Sequence, residues 1–142
     1  MKTGTKTALT TLAVSGVWGI GAYVVDVIIR PHLVARRARA AAAKRGKPLL
    51  NVGAGTRRSS VRAILLGPTL WGDTNVDIAA RKGKACTQAT VCYGDAHRLP
   101  FADKEFGALI ASHVLEHVKD PEAAMAEFHR VADQVFVITP RW

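Results

Sequence analysis

The stretch Leu49-Leu50-Asn51-Val52-Gly53-Ala54-Gly55-Thr56 decides the fold of this chain. Its first four residues predict a buried β-strand, and the two glycines that follow predict a tight turn. Because neither Gly53 nor Gly55 carries a Cβ atom, the backbone of this turn can approach a ligand closely. A helix predicted over 57–66 would point its N-terminal amides at the same turn, where they could receive polar groups of a ligand.

Acidic residues follow the next two predicted strands. Asp77 lies in the run 74–78, about twenty residues beyond the glycine turn, where a nucleotide ribose requires an acidic partner. Asp95 follows the run 90–94. Because the carboxyl ends of parallel strands lie along one edge of a sheet, we expect both carboxylates to lie beside the glycine turn.

Four ordered motifs resemble those of the class I S-adenosylmethionine-dependent methyltransferases, in the branch that acts on small molecules and lipids. The motifs are Leu50–Thr56, Asn75–Ile78, Gly94–Phe101 and Ser112–Val118. The resemblance covers residues 48–142. It implies S-adenosylmethionine as the cofactor and a small or lipid-like molecule as the methyl acceptor.

The resemblance also implies which residues bind the cofactor. Gly53 and Gly55 would hold its methionine portion and ribose, and Asp77 would accept both ribose hydroxyls. Ile78 would pack on the adenine ring, whose amino group would donate to Asp95. The complete implied set is Asn51, Gly53, Ala54, Gly55, Asp77, Ile78, Asp95, Ala96 and Ser112.

Methyl transfer from a sulfonium requires alignment and a dry pocket, and it requires neither a protein nucleophile nor a metal. A general base is needed only when the accepting atom carries a proton, and His113 and His117 are candidates by position. The run from His113 to His117 also matches the H-x-x-E-H pattern of zinc peptidases. It directly follows a predicted strand rather than lying inside a long helix, so we predict no metal site.

Beyond the motifs, the pattern predicts a Rossmann-like, doubly wound α/β domain with a parallel sheet of about five strands. The predicted strands are 48–52, 74–78, 90–94, 107–111 and 133–138, and the predicted helices are 57–66 and 121–131. The family's last two strands are missing, so the fifth strand would leave an exposed edge. We expect this edge and Trp142 to meet a membrane surface, a partner subunit or a second copy of the chain.

The chain contains two cysteines, one just before the third predicted strand and one within it. Cys86 and Cys92 do not have the C-x-x-C spacing of a redox or metal motif. In a domain on the cytoplasmic side of a membrane, we expect both to be reduced thiols that pack in the fold.

The N-terminal third of the chain differs in composition from the rest. Residues 1–7 are a short tail, and residues 8–29 contain one charge, Asp26, and are long enough to form a transmembrane helix. A cleaved signal peptide and a buried core helix are the competing interpretations. Residues 30–47 carry seven Lys and Arg, which predicts a solvated basic juxtamembrane stalk, and residues 48–142 form the methyltransferase-like domain.

The distribution of charge predicts the orientation of the chain. The net charge is +9, but residues 48–142 hold 11 Lys and Arg against 10 Asp and Glu, so the excess lies almost entirely in the first 47 residues. A basic segment after an apolar span predicts that the domain lies on the cytoplasmic side. This segment has no aromatic or other base-reading element beside its charges, which argues against a nucleic-acid partner.

Two other functions stay open on the sequence alone. A catalytically silent methyltransferase-fold subunit, with a structural or assembly role in a membrane complex, would account for three departures from the family: Asn51 in place of the usual acid, Arg57 in place of a glycine, and the missing strands. A nicotinamide-nucleotide enzyme would also place an acid such as Asp77 at a ribose. This chain, however, lacks the third glycine of the G-x-G-x-x-G motif, because Arg58 occupies that position.

Overall fold

A computed structural model of the chain describes residues 25, 29–56, 69–88 and 90–139. Within these residues, two α-helices, one short 3-10 helix and five strands form an α/β domain. In chain order they are α1 (Arg30–Lys44), β1 (Leu49–Val52), β2 (Thr74–Asp77), β3 (Val91–Tyr93), β4 (Ala108–Ser112), the 3-10 helix Leu115–His117, α2 (Pro121–Val131) and β5 (Val135–Ile138). The helix predicted over 57–66 lies outside the described residues.

The five strands form one parallel sheet in the order β3-β2-β1-β4-β5. The predicted Rossmann-like fold with a five-stranded parallel sheet is therefore confirmed, with strand ends shifted by one or two residues, and α2 has its predicted bounds. From β1 the chain adds β2 and β3 on one side of that strand, and it then returns to add β4 and β5 on the other side. This reversal creates a crevice between the carboxyl ends of β1 and β4, where ligands of doubly wound folds bind.

Helices cover the two faces of the sheet, so successive strand residues alternate between two cores. Leu49 and Ile110 pack with α1 on one face, and Leu50 and Leu109 pack with α2 on the other. All four residues of β1 are buried, as expected for the central strand of a sheet covered on both sides. Asp120 caps α2 by accepting a hydrogen bond from the amide of Ala123, and Pro121 occupies the first turn.

The predicted basic stalk is a helix, but it is not solvated on all sides. One face of α1 is buried against β4 and β5 through Ala35, Ala38 and Ala42. These small side chains allow a close approach, since a Cβ added at Gly107 would lie 3.0 Å from the Cα of Ala42. The segment 30–44 therefore packs against the sheet of the domain predicted to begin at residue 48.

Ion pairs also fasten the end of α1 to the domain. Lys47 Nζ lies 2.9 Å from Asp133 Oδ2, and Arg39 Nη1 lies 3.3 Å from Asp73 Oδ1. The predicted transmembrane helix, 8–29, falls almost entirely outside the described residues. Among the residues that are described, no helix is both long enough and apolar enough to cross a bilayer.

Cys86 and Cys92 form a disulfide, so the prediction of two reduced thiols is wrong. The loop before β3 folds back on itself through the Thr87–Thr90 bridge. This turn brings the two Cα atoms to 5.1 Å, within the range that a disulfide spans. The pairing depends on the course of the loop, which the spacing of the cysteines in the sequence does not reveal.

Candidate cofactor-binding site

A cavity of about 850 Å³ opens at the carboxyl ends of the strands. Its walls come from the turn after β1 and from the segments that follow β2, β3 and β4. The predicted site residues that line it are Gly53, Ala54, Gly55, Asp77, Ile78, Asp95, Ala96, Ser112, His113 and His117. The fold therefore brings together every predicted site residue except Asn51.

The glycine turn forms the floor of the cavity. Gly53 and Gly55 have φ angles of +74° and +76°, in the left-handed region that favours glycine. The amides of Gly53 and Ala54 both donate to the carbonyl of Val76, at 2.9 and 3.1 Å. A Cβ added at Gly53 would lie 2.3 Å from Cγ2 of Val114, so the turn requires glycine here for space as well as for conformation.

The Asp77 carboxylate lies across this turn. Its Oδ2 accepts a hydrogen bond from the amide of Gly55 at 2.9 Å, and its Oδ1 accepts one from the amide of Ala79 at 2.8 Å. Because each carboxylate oxygen has two lone pairs, both oxygens can still accept a hydrogen bond from a ligand. The neighbouring Ile78 side chain is 63 % exposed on the cavity wall, so it offers an apolar surface to a flat ring.

Asp95 is tied to a histidine that the sequence analysis did not select. Asp95 Oδ1 accepts hydrogen bonds from the backbone amide and from Nδ1 of His97, both at 2.9 Å. The amide of Asp120 donates to Nε2 of the same ring at 3.4 Å, which assigns the ring proton to Nδ1. The bond from the His97 amide, reinforced by the bond from its ring, holds the pKa of Asp95 below its ordinary value. In the sequence, His97 could have been selected because it follows an acid by two residues in the third motif.

The pattern of hydrogen bonds leaves one oxygen of Asp95 available. Both bonds from His97 reach Oδ1, and Oδ2 makes no hydrogen bond to another described residue. Asp95 and Asp77 thus present carboxylate oxygens at two points of one wall. This arrangement suits a ligand that carries hydroxyl and amino donors.

Asn51 lies behind the cavity wall and does not line it. The side chain is completely buried, and its Nδ2 donates to the carbonyl of Thr69 and to Oδ1 of Asn75. Asn75 in turn bonds both backbone groups of Gly72. Among the described residues, Asn51 Oδ1 has no hydrogen-bond partner. Asn51 therefore fastens the loop around Thr69 to the sheet, and its side chain is not among the cavity-lining residues.

Two residues far apart in sequence complete the wall near the start of α1. Pro31 and Trp71 both line the cavity. The rings of His32 and Trp71 meet edge-to-face with centroids 5.6 Å apart, and Arg39 donates to the carbonyl of Trp71. Sequence reasoning missed this wall because it depends on contacts between segments more than thirty residues apart.

His113 is held in a strained conformation at the end of β4. Its φ of +55° is uncommon for a residue other than glycine. Its Nδ1 lies 3.0 Å from Glu116 Oε1, and both His113 and His117 line the cavity. Only a single turn of 3-10 helix, Leu115–His117, follows, so the two histidines do not share the α-helical face that a zinc-peptidase motif requires. Within the described residues, no three His, Cys, Asp or Glu side chains are grouped as metal ligands.

An ion-pair network holds the Leu99-Pro100-Phe101 segment of the third motif against α2. Arg130 donates to the carbonyls of Leu99 and Phe101, at 3.1 and 2.9 Å, and to both oxygens of Glu127 at 2.8 Å. Glu127 also accepts a hydrogen bond from the amide of Leu99 at 2.7 Å. The Arg130 guanidinium is the main reason that the pKa of Glu127 lies below its ordinary value. This network fixes the loop that begins at Asp95.

The methyltransferase domain family matches residues 50–134, which is more than half of the chain. The chain belongs to the class I S-adenosylmethionine-dependent methyltransferases. The predicted family and its cofactor, S-adenosylmethionine, are therefore confirmed. The match begins at β1 and reaches the residue before β5, so it includes the segments that form the cavity walls, except for α1.

Two curated relatives are each similar to about three fifths of the chain. A demethylmenaquinone methyltransferase of Thermobifida fusca (strain YX) is 36 % identical over 92 residues, which cover 61 % of this chain and 39 % of that protein. One of Mycolicibacterium paratuberculosis is 37 % identical over 87 residues, covering 61 % of this chain and 37 % of that protein. The chain thus spans about two fifths of the length of these curated relatives.

A solved structure from Thermotoga maritima is also similar to this chain. It is described as a SAM-dependent methyltransferase, possible histamine N-methyltransferase. The two are 26 % identical, the similarity covers 81 % of this chain and 56 % of the other, and the TM-score is 0.41.

Proposed function

We propose that this chain binds S-adenosylmethionine in the cavity and transfers its methyl group to a lipid-like small molecule. The observation that carries the proposal is the hydrogen bond from the Gly55 amide to Asp77 Oδ2, which joins the glycine turn to a carboxylate at the mouth of the crevice. The turn leaves the backbone open to close approach by a ligand. The carboxylate keeps lone pairs for two hydroxyl donors, as a ribose requires.

The remaining walls suit the other parts of the cofactor. Asp95 Oδ2 would accept the adenine amino group, and Ile78 would pack against the adenine ring. Ser112 and Gly53 would line the end that holds the methionine portion. The negative charges of Asp77 and Asp95 complement a cationic ligand. When bound, S-adenosylmethionine supplies a methyl group on a sulfonium, which an acceptor atom can attack.

His113 would serve as the general base for an acceptor that carries a proton. Glu116 accepts the hydrogen of Nδ1, and this bond leaves a lone pair on Nε2 that can take a proton. Backbone strain of the kind seen at His113 is found mostly at functional sites, because surrounding structure must hold it in place. Glu116 is then a positioning residue, which fixes the tautomer and the orientation of the ring.

The names of the relatives support a lipid-like acceptor, and they supply a probe for the assay. Full-length protein would be incubated with methyl-labelled S-adenosylmethionine and demethylmenaquinone in detergent micelles, beside an Asp77→Asn variant. We expect label in the acceptor with the native chain and little with the variant. Native protein that binds the cofactor but labels neither this acceptor nor an extract of membrane lipids would contradict the proposed acceptor class.

The role of His113 is tested by variants that keep its backbone conformation. His113→Asn is suitable because asparagine tolerates positive φ but cannot act as a base. We expect kcat to fall by about 10²–10⁴-fold while the affinity for S-adenosylmethionine is retained. Glu116→Gln should lower kcat with little change in KM, and His129→Gln, on the exposed part of α2, is the matched control. A wild-type kcat in His113→Asn would refute the assignment.

The apolar run 8–29 would anchor the protein as a single transmembrane helix, with the domain on the cytoplasmic side, where the Cys86–Cys92 disulfide would be an exception to the usual reduced state of cysteines. The support is the length of the run and the basic residues that follow it. Alkaline extraction of membranes and protease protection test this placement. Release of the chain at high pH, or protection of the domain in inside-out vesicles, would contradict it.

A further inference from the structure

Some large apolar side chains of the protein are exposed rather than buried. Among the described residues, the large apolar side chains that are exposed are Val25, Ile29, Leu33, Leu70 and Ile78. Leu33 is 53 % exposed and Ile29 46 %, which is costly for side chains of this size if they face water. Ile78 is accounted for by the adenine surface proposed above. Val25 lies within the proposed anchor 8–29. Ile29, at the end of that run, Leu33 and Leu70 need a separate explanation.

Their positions tie these residues to the cavity. Ile29 and Leu33 belong to the same helical turn as Pro31, which lines the cavity, and they project from its outward side; Leu70 precedes Trp71, which also lines the cavity. The contact between the rings of His32 and Trp71 holds the two segments together. We call the set Ile29, Leu33 and Leu70 the apolar rim.

Basic residues follow the apolar rim along α1. Ile29, the N-cap residue of α1, and Leu33 are spaced four residues apart, so they share one side of the helix, opposite the buried alanines. Farther along this outward side lie Arg36 and Arg37, both exposed and without an ion pair to any described residue. At 1.5 Å per residue they are about 10 Å beyond Ile29 along the axis and about 5 Å beyond Leu33, within one Debye length of the rim. The sequence of α1 contains no acidic residue.

We infer that the apolar rim docks into the surface of an anionic lipid bilayer, with Arg36 and Arg37 at the level of the headgroups. Apolar side chains followed by cations, with no acid between them, complement acyl chains followed by phosphates. The cavity then opens toward the bilayer, and a lipid-like acceptor can enter it without crossing water. This inference rests on the proposed function for its purpose, but it concerns a surface that can be tested without cofactor or acceptor.

Trp71 is a natural probe of this orientation. In full-length protein with Trp18→Phe and Trp142→Phe, Trp71 is the sole tryptophan. The protein would be reconstituted in phosphatidylcholine–phosphatidylglycerol vesicles whose acyl chains carry bromine, which quenches indole fluorescence on contact. A ring held roughly 5–10 Å below the headgroups should lose about half of its emission. The matched control replaces all three tryptophans by phenylalanine and carries Gln134→Trp, at the opposite end of the sheet, where we expect no quenching.

Two further variants separate docking by the rim from attachment by the rest of the chain. Leu33→Glu should abolish most of the quenching of Trp71, whereas Ala126→Glu, which puts the same charge on exposed α2, should leave it unchanged. Vesicles of phosphatidylcholine alone should quench less than those with the anionic lipid.

Unquenched Trp71 in protein that sediments with the vesicles would overturn the inference, because the rim would then face water or another protein. Equal quenching of the probes at 71 and 134 would overturn it as well. Titration of S-adenosylmethionine into the same protein reports separately on the proposed function, so the two failures cannot be confused.

Discussion

The substitution Asn51→Asp tests the buried amide pair behind the cavity and restores the acid that the family usually has at this position. Asn51 donates both hydrogens of Nδ2 to oxygens, those of Thr69 and Asn75, in a completely buried site. A carboxylate at this position would face the same two oxygens, and it would have no hydrogen to donate to them. Burial and these neighbours should therefore raise the pKa of the new carboxyl from about 3.9 to above 7.

The cost follows from this change in protonation. Keeping the carboxyl protonated in the fold at pH 7 costs about 1.4 kcal/mol for each pH unit above its unfolded pKa, or about 4 kcal/mol. A protonated acid has one donor where the amide has two, so Thr69 or Asn75 loses a hydrogen bond, at about 1–3 kcal/mol. We expect the variant to lose about 5–7 kcal/mol at pH 7, which is most of the stability of a typical domain.

The sign of the pH dependence distinguishes this explanation from ordinary loss of packing. Between pH 7 and pH 5 the folded variant keeps its proton and the unfolded chain does not. The cost should therefore shrink by about 2.7 kcal/mol on acidification over this range. Urea denaturation of variant and native protein at both pH values measures it, with Gln134→Glu as a control for an exposed amide. A cost below about 1 kcal/mol, or a cost independent of pH, would refute the geometry described for Asn51.

Other predictions concern the glycine turn and the ion pair between Arg130 and Glu127 on α2. Gly53→Ala should destabilise the protein by more than Gly46→Ala in thermal melts and should weaken cofactor binding. Both glycines have positive φ, but only Gly53 would meet a neighbour, Val114, whereas nothing lies within 4 Å of a Cβ at Gly46. Equal effects would show that conformation alone matters. Arg130→Ala should lower the urea midpoint, because Leu99, Phe101 and Glu127 lose their hydrogen bonds to the guanidinium. In the native protein, the lowered pKa of Glu127 gives stability that is present above pH about 4.3 and is lost as the pH falls further. Urea midpoints below pH 4.3 should therefore fall less in Arg130→Ala than in the native protein, and parallel curves would contradict this.

Much of the fold is predictable from the sequence because its signals are local. Short runs of Leu, Val and Ile mark the strands, and Gly53 and Gly55 mark the turn after the first one. Asp120-Pro121 marks the start of α2, because a capping acid and a proline at the first turn are specific to helix starts. Parallel strands collect their carboxyl ends at one edge, and for this reason Asp77 and Asp95 could be predicted to share a site before their contacts were known.

What the sequence did not reveal depends on contacts between distant segments. The alanines of α1 are spaced for one helical face, but alanine is too weakly hydrophobic to show that the face is buried rather than solvated. The participation of Pro31 and Trp71 in the cavity follows from that packing, so it was missed too. The pairing of Cys86 with Cys92 depends on a loop turn, and the role of Asn51 depends on its hydrogen bond to Asn75, a residue of a different motif.

Calorimetric titration of S-adenosylmethionine and S-adenosylhomocysteine into full-length protein in detergent tests the central claim most directly. The Asp77→Asn variant, which keeps the shape of the side chain but not its charge, is the comparison. We expect micromolar dissociation constants for the native chain and a loss of at least about tenfold in the variant, because a charge-assisted hydrogen bond is worth about 1.5–3 kcal/mol. No heat of binding at millimolar ligand, from protein that remains folded, would contradict the proposed cofactor site and favour a catalytically silent member of the family.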